Sequence, residues 1–503
     1  MAHDADRLTM LLKRDLDGTH PLVLVESDDE PTVQEALFGA IDSGIAYRRW
    51  TAVQGLAPAR MAETKAVADS EPAVAALAWL PLHGGAGRSV NVFYDLSAHL
   101  ADPRSLRALR EAITWARANF GVIVLVERHA KLPPEVRSEV HEVHLPPAGD
   151  DELIALVRDT VREVAKTRSI EASIRRSTLE AIARSLRGLT PRQARRVISA
   201  SVAQDDKFND DDLEQVMLHK RNACTDLDGV LEFVQAPVSM DKIGGLARLK
   251  KWLDARQLTS ADEAAEFGLS LPRGVMLLGV QGAGKSLAAK AVATAWRVPL
   301  LRLDAGALFD KFVGESERKL RDSLHQADRM APAVLWIDEI EKGFASASSQ
   351  SSDGGLSRRM FGTLLTWMQE RSSATFMVAT ANDISALPPE LLRKGRFDEI
   401  FFVDLPDASV RAQILGIHLA QRKRDAKQFD MPALVAATDG YSGAEIEAGI
   451  ESALRVAFAD DKRALTTRDL VDAYRASPPI SQVMADRIAD LREWASTRCV
   501  PAD

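Results

Sequence analysis

Between Gly279 and Ser286 the chain reads Gly-Val-Gln-Gly-Ala-Gly-Lys-Ser, the spacing G-x-x-x-x-G-K-[ST]. Residues of these types can do one job together. Glycines at Gly279, Gly282 and Gly284 let the backbone turn tightly enough for N–H groups to wrap a phosphate chain, with no Cβ in the way and a helix N-terminus aimed at the anion. Lys285 would then reach the β and γ phosphates, and the Ser286 hydroxyl would ligate Mg²⁺. Val280, Gln281, Ala283 and Leu287 complete the cradle. The implied cofactors are ATP and Mg²⁺. The flanks agree, because an apolar run, Val275 to Leu278, precedes the turn and helix-forming residues from Leu287 to Trp296 follow it. Strand, glycine turn and helix are the elements such a site needs.

Bulk properties set the frame. A chain of 503 residues holds about three domains on the usual length prior. With 46% hydrophobic and 27% charged residues it has ordinary globular composition. A net charge of −8 speaks against nucleic acid as the partner. Cys224 and Cys499 are far apart, form no metal-ligand spacing and suit a reducing compartment. No apolar run approaches the ~18 residues of a membrane span, and the N-terminus lacks a signal-peptide core. The expectation is a cytoplasmic protein without a membrane anchor.

In the first part of the chain, strands are expected at Pro21 to Val25, Ala46 to Trp50, Val90 to Asp95, Gly121 to Val126 and Val140 to Leu145, with helices at Thr32 to Ile41 and Pro103 to Ala118. That alternation predicts a parallel α/β sheet. Its first strand runs into Glu26-Ser-Asp-Asp-Glu30, where a phosphate loop would need glycines and a lysine. First-to-last strand offsets are about 120 residues here and about 126 around the phosphate loop, the signature of an internal repeat. Residues 1–147 are therefore expected to be an α/β domain without a phosphate loop, either a degenerate copy of the downstream module or an unrelated domain of similar size. Tyr94-Asp95 is followed by Leu96 rather than a second carboxylate, so no hydrolysis is expected there. His141-Glu-Val-His144 is one residue short of H-E-x-x-H and reads as structural.

Residues 148–235 read as a helical subdomain and connector, with Thr190 as N-cap and Pro191 opening a helix. Arg175, Arg176, Arg192, Arg195 and Arg196 could meet an acidic partner or form a solvated face.

Downstream come Asp241-Lys-Ile-Gly-Gly245-Leu, the phosphate loop, Asp338-Glu339 at the end of the apolar run Ala333 to Ile337, Thr380-Ala-Asn382 at the end of another, and Leu391-Leu-Arg393-Lys-Gly-Arg396-Phe-Asp398. In sequence and order these resemble the AAA clade of the AAA+ ATPases. The resemblance implies a P-loop NTPase sheet at 236–405, a helical lid at 406–480 and a C-terminal helix at 481–503. It casts Asp338 as the metal carboxylate, Glu339 as the group that polarises water and Asn382 as the γ-phosphate sensor. Arg393 and Arg396 become the arginines that enter a neighbour's site, and hence mark a ring, by resemblance a hexamer; a purely intramolecular ion-pair role is the other reading. Ile243, Gly244, His418, Gly443 and Ala444 fall at adenosine- and lid-contact positions, and Phe312 and Val313 at the pore loop that grips a polypeptide.

The likeness extends over nearly the whole chain to the AAA proteins first noticed as a hypothetical chloroplast reading frame. It rests on Ile243 to Leu253, Pro272-Arg-Gly, Gln281, Trp336 to Lys342, Arg393 to Phe402 and Leu491 to Ala495. The expected function is Mg²⁺-dependent ATP hydrolysis in a ring that remodels or unfolds protein clients. An ATP-controlled scaffold that threads nothing, and a nucleic-acid remodeller drawing on the arginines of 175–196, are the rival readings.

Overall fold

The computed structural model describes residues 2–16, 19–27, 29–59, 65–128, 130, 132–143, 149–223, 230–234, 238–257, 267–304, 306, 315–344, 356–371, 373–393 and 395–503. They fall into two units, Met1–Ser173 with Leu189–Phe208, and Ile174–Gly188 with Asn209–Asp503.

The first unit is built on six strands: β1 Leu22–Glu26, β2 Ala46–Thr51, β3 Gly55–Pro58, β4 Ser89–Tyr94, β5 Val122–Glu127 and β6 Val140–Val143. Their order is β3-β2-β4-β5-β1-β6. All neighbours are parallel except β2 and β3. The inner strands β1, β4 and β5 are buried almost throughout because helices cover both faces. Leu22, Leu24, Phe93 and Leu125 pack with the helices Ala73–His83 and Pro103–Ala118, while Val23, Val25, Val92 and Val124 pack with Ala2–Asp15 and Glu30–Ala40. His141 stacks on His20, ring centroids 4.0 Å apart, and its Nε2 lies 3.4 Å from Asp15; His144 lies outside the described residues. Beyond the sheet are the paired helices Asp150–Ala165 and Pro191–Asp205, and two short strands, β7 Glu171–Ser173 and β8 Lys207–Asn209, which pair. Thr190 caps the second of these helices by accepting from the Gln193 N–H.

The second unit contains β9 Leu231–Val234, β10 Gly274–Gly279, β11 Leu300–Leu303, β12 Ala333–Ile337, β13 Thr375–Ala381, β14 Glu399–Val403 and β15 Val500–Pro501. The order is β15-β14-β10-β13-β12-β11-β9, antiparallel only at β9. When the parallel strands from the first in each unit, β1 and β10, are ranked in chain order, the two sheets share the order second-third-fourth-first-fifth, to which the second sheet adds β15 beyond its fifth. Each also carries an antiparallel strand outside its second. The spacing likeness in the sequence is thus a likeness of topology.

Part of the connector is structured: residues Asp212–Ala223 form a helix, and β9 completes an edge of the second sheet through β11. The lid helices Ala408–Gln421, Met431–Ala437, Gly443–Ala459 and Thr467–Arg475 enclose Leu415, Leu419, Ile446, Ile450 and Tyr474. The closing helix Ala485–Ser496 is held to the end of β14 by Arg492, whose guanidinium forks onto Asp404 at 2.9–3.0 Å. Among the described residues no helix is long and apolar enough to cross a membrane.

Candidate active site

The phosphate loop leaves the C-terminal end of β10, the edge where open α/β sheets bind ligands. A Cβ at Gly279 would come within 2.0 Å of the Val403 carbonyl, so the close pass of β14 excludes any side chain. Gly282 and Gly284 take φ of 77° and 97°, the left-handed region open to glycine, and the helix Lys285–Trp296 starts directly after. Val280 is buried and its N–H donates to Val403 at 3.1 Å; the Ala283 N–H donates to Val280 at 3.3 Å. Gln281 and Leu287 face outward. Lys285 is 5% exposed, and its ammonium donates to the Gly279 and Val280 carbonyls at 2.8 and 2.7 Å. Burial pulls its pKa down to about 8, against the opposing pull of the Glu341, Asp338 and Glu339 carboxylates.

Two further strands deliver the acidic and polar groups to the same edge. Ser286 Oγ donates to Asp338 Oδ1 at 2.9 Å, and Thr380 Oγ1 donates to the same oxygen at 2.6 Å. Residues from three elements therefore meet at one carboxylate. Glu339 follows with φ of 48°, in the left-handed region, its N–H donating to Thr380 Oγ1 at 2.9 Å. Strained backbone of this kind persists where surrounding bonds fix it. Asn382 Nδ2 donates to Glu339 Oε1 at 2.9 Å, and the Asn382 N–H donates to Glu341 Oε1 at 2.9 Å. Glu341 is 5% exposed, and burial raises its pKa. Thr380 and Glu341 are contributors that spacing did not single out; their signal lay only in adjacency to Asn382 and to the acidic pair.

The lid closes over the loop. The Ala444 N–H donates to the Gly282 carbonyl at 3.1 Å, and Gly443 lies against the same oxygen. On the other flank Ile243 is buried, its carbonyl accepting from Lys250 Nζ at 2.5 Å. A Cβ on Gly244 would meet Ile414 of the lid at 2.7 Å, and Gln413 accepts from the Gly245 N–H at 3.1 Å. His418 lies one turn beyond, its Nδ1 3.6 Å from Glu447; burial lowers its pKa, with Glu447 opposing.

Arg393 and Arg396 sit elsewhere. Their loop is tied to the start of β10, where Asp398 Oδ2 accepts from the Arg273 and Gly274 N–H groups at 2.7 and 2.9 Å. Arg393 is exposed, whereas Arg396 is buried and donates to the Glu390 carbonyl. Phe312 and Val313 lie outside the described residues. The glycine cradle, the buried lysine and the adjoining Ser286 and Asp338 oxygens suit a nucleoside triphosphate with a divalent cation.

Family models match in three places. Residues 275–405 match the ATPase family associated with various cellular activities (AAA), residues 8–145 the N-terminal domain of SpoVK-like AAA ATPases, and residues 151–225 the second domain of the same proteins. The "Uncharacterized AAA domain-containing protein ycf46" of Guillardia theta is 36% identical over 404 residues, covering 80% of this chain and 78% of its own. The chain belongs to the ycf46 AAA ATPases. A second ycf46 protein, from Trieres chinensis, is 35% identical over 80% of each chain. More distant AAA relatives align only with part of this ATPase. The ATP-dependent zinc metalloprotease FtsH of Malacoplasma penetrans is 34% identical over 43% of this chain and 26% of its own. The proteasome-activating nucleotidase of Saccharolobus islandicus is 34% identical over 48% and 63%. Nucleotide binding and ATPase activity come with the family.

Proposed function

We propose that this ATPase assembles in the cytoplasm into a ring, in which each site is completed by its neighbour, and that hydrolysis remodels or unfolds protein clients. The observation that carries the reading is the placement of Arg393 and Arg396. Their loop is anchored at the start of β10, whereas the phosphate loop leaves its far end at Gly279. Five strand steps put those ends about 17 Å apart. That exceeds the length of an arginine side chain, which favours service to another chain's phosphates over their own; Arg393 is exposed, and Arg396 would first give up its bond to the Glu390 carbonyl.

Within one site, Gly279 to Ser286 hold the phosphates, and Lys285 leaves its two carbonyls to pair with them. Ser286 and Asp338 would hold Mg²⁺, which neutralises phosphate charge when bound. Glu339 polarises the attacking water, with Asn382 fixing its orientation. Ile243, Gly244, His418, Gly443 and Ala444 hold the adenosine between the large domain and the lid, and an arginine of the next chain stabilises charge in the transition state. Partial alignment with a protease and a proteasome-activating nucleotidase supports protein clients, and Phe312 and Val313 are the residues that would grip them.

The test is ATPase rate per chain against protein concentration for wild type, Arg396→Ala, and an equal mixture of Arg396→Ala with Glu339→Gln. A rate that rises with concentration, falls in Arg396→Ala and partly recovers in the mixture is expected, because some interfaces then pair an intact Glu339 with an intact Arg396. A rate independent of both concentration and Arg396 would mean that each chain works alone. Client handling is read separately: Phe312→Ala should abolish threading while assembly survives.

A further inference from the structure

Glu339 has both carboxylate oxygens engaged. Oε1 accepts from Asn382 Nδ2 at 2.9 Å, and Oε2 pairs with Lys342 Nζ at 2.5 Å. The main chain fixes the second contact, because the Lys342 N–H donates to the Glu339 carbonyl at 2.8 Å, so the two side chains leave the same turn side by side. The turn itself is set by the left-handed Glu339 and by Thr380 beneath it. Lys342 is 70% exposed at its side chain, whereas Glu339 is 31% exposed. The lysine therefore approaches the carboxylate from the solvent side.

A carboxylate that polarises water must present an accessible oxygen to it. An ammonium on Oε2 stands in the way of that approach. Asn382 alone would leave one oxygen free; with Lys342 in place neither is. We infer that Lys342 is a restraining residue for hydrolysis: it occupies Glu339 Oε2 and must swing away before Glu339 can act on water. This rests on Glu339 being the water-polarising group. Lys342 can leave cheaply, because its ammonium is mostly in solvent and an exposed ion pair is weak. The same weakness limits the effect of removing it to a few-fold.

The experiment compares steady-state ATP turnover of the full chain with Lys342→Met, Lys342→Arg, Glu339→Gln and the double variant Lys342→Met/Glu339→Gln. Lys342→Met should raise kcat about two- to fivefold, with KM for ATP unchanged, since the lysine touches no phosphate-binding group. Lys342→Arg restores the pair and should return to the wild-type rate. The double variant should match Glu339→Gln, showing that the lysine acts through that carboxylate. A kcat in Lys342→Met equal to or below wild type, or an equal gain in Lys342→Arg, would overturn the restraint. Normal turnover in Glu339→Gln would instead overturn the assignment of Glu339 beneath it.

Discussion

Lys285 is the residue of the phosphate loop whose charge responds most to its surroundings. Its ammonium is held by two carbonyls, and desolvation brings its pKa to about 8. Arriving phosphates favour the charged form and so raise that value. Nucleotide binding near pH 8.5 should therefore take up a proton, whereas binding near pH 6 should not, because the lysine is already charged. Calorimetric titration in two buffers of different ionisation enthalpy measures the uptake at each pH. The same shift affects folding of the nucleotide-free protein. The unfolded lysine keeps its proton up to the ordinary value of 10.5, above the folded one. Between about pH 8 and 10.5 the unfolded state binds more protons, so Lys285's contribution to stability rises with pH across that window and is flat below it. Thr380 is the second residue whose chemistry can be isolated. It bonds Asp338 at 2.6 Å and the Glu339 N–H at 2.9 Å. Thr380→Val keeps the shape and loses both bonds, and kcat should fall about tenfold with a smaller change in KM, read by steady-state kinetics.

Among the elements, the last short strand is the least expected. β15 runs parallel to β14, the Ala502 N–H donates to Phe402 at 3.0 Å, and the Ala502 carbonyl accepts from both Arg248 and Leu249 at 3.0 Å. Asp503 Oδ1 accepts from the Ala247 N–H at 3.2 Å. The segment thus joins the sheet to the loop around Gly244 and Gly245 that faces the lid. Removing residues 500–503 should lower the melting midpoint of this unit by about 5 °C, at about 1 kcal/mol for each of three main-chain hydrogen bonds. It should also raise KM for ATP by loosening Ile243 and Gly244; calorimetry and kinetics check the two effects separately.

For the whole molecule, two units share a strand order but carry different residues at the matching strand ends. At the edge of the first sheet, Asp29 accepts from both the Thr32 N–H and its hydroxyl, placing a carboxylate over the helix N-terminus that in the second unit follows Gly284. Glu127, at the end of β5, is 3% exposed and accepts from the Ser97 N–H and Oγ at 2.8 and 2.6 Å. Carboxylates at both positions repel phosphate. Saturation binding by equilibrium dialysis should give one nucleotide per chain, lost entirely in Lys285→Met; two per chain would show that the first unit also binds.

The chemistry was legible in the sequence because it depends on residue types at short, fixed spacings. Gly279, Gly282 and Gly284 announce a backbone that tolerates no Cβ, and an apolar run ending in Asp338-Glu339 announces a strand end. The alternation of apolar strands and helices likewise carried the α/β class. Other elements were hidden by their composition. The helix Ala73–His83 is apolar on every side and contains Pro81, so it shows no helical period. β3 is four residues long and β15 two, too short for any pattern. What only the tertiary structure decided were contacts between groups far apart in the chain: Ser286 and Thr380 meeting on Asp338, the lid's Ala444 bonded to Gly282, and Arg393 and Arg396 at the far end of β10 from the phosphate loop. These follow from strand order and register, which depend on how two faces of a sheet bury their side chains and on which edges remain to be paired. No local spacing encodes them.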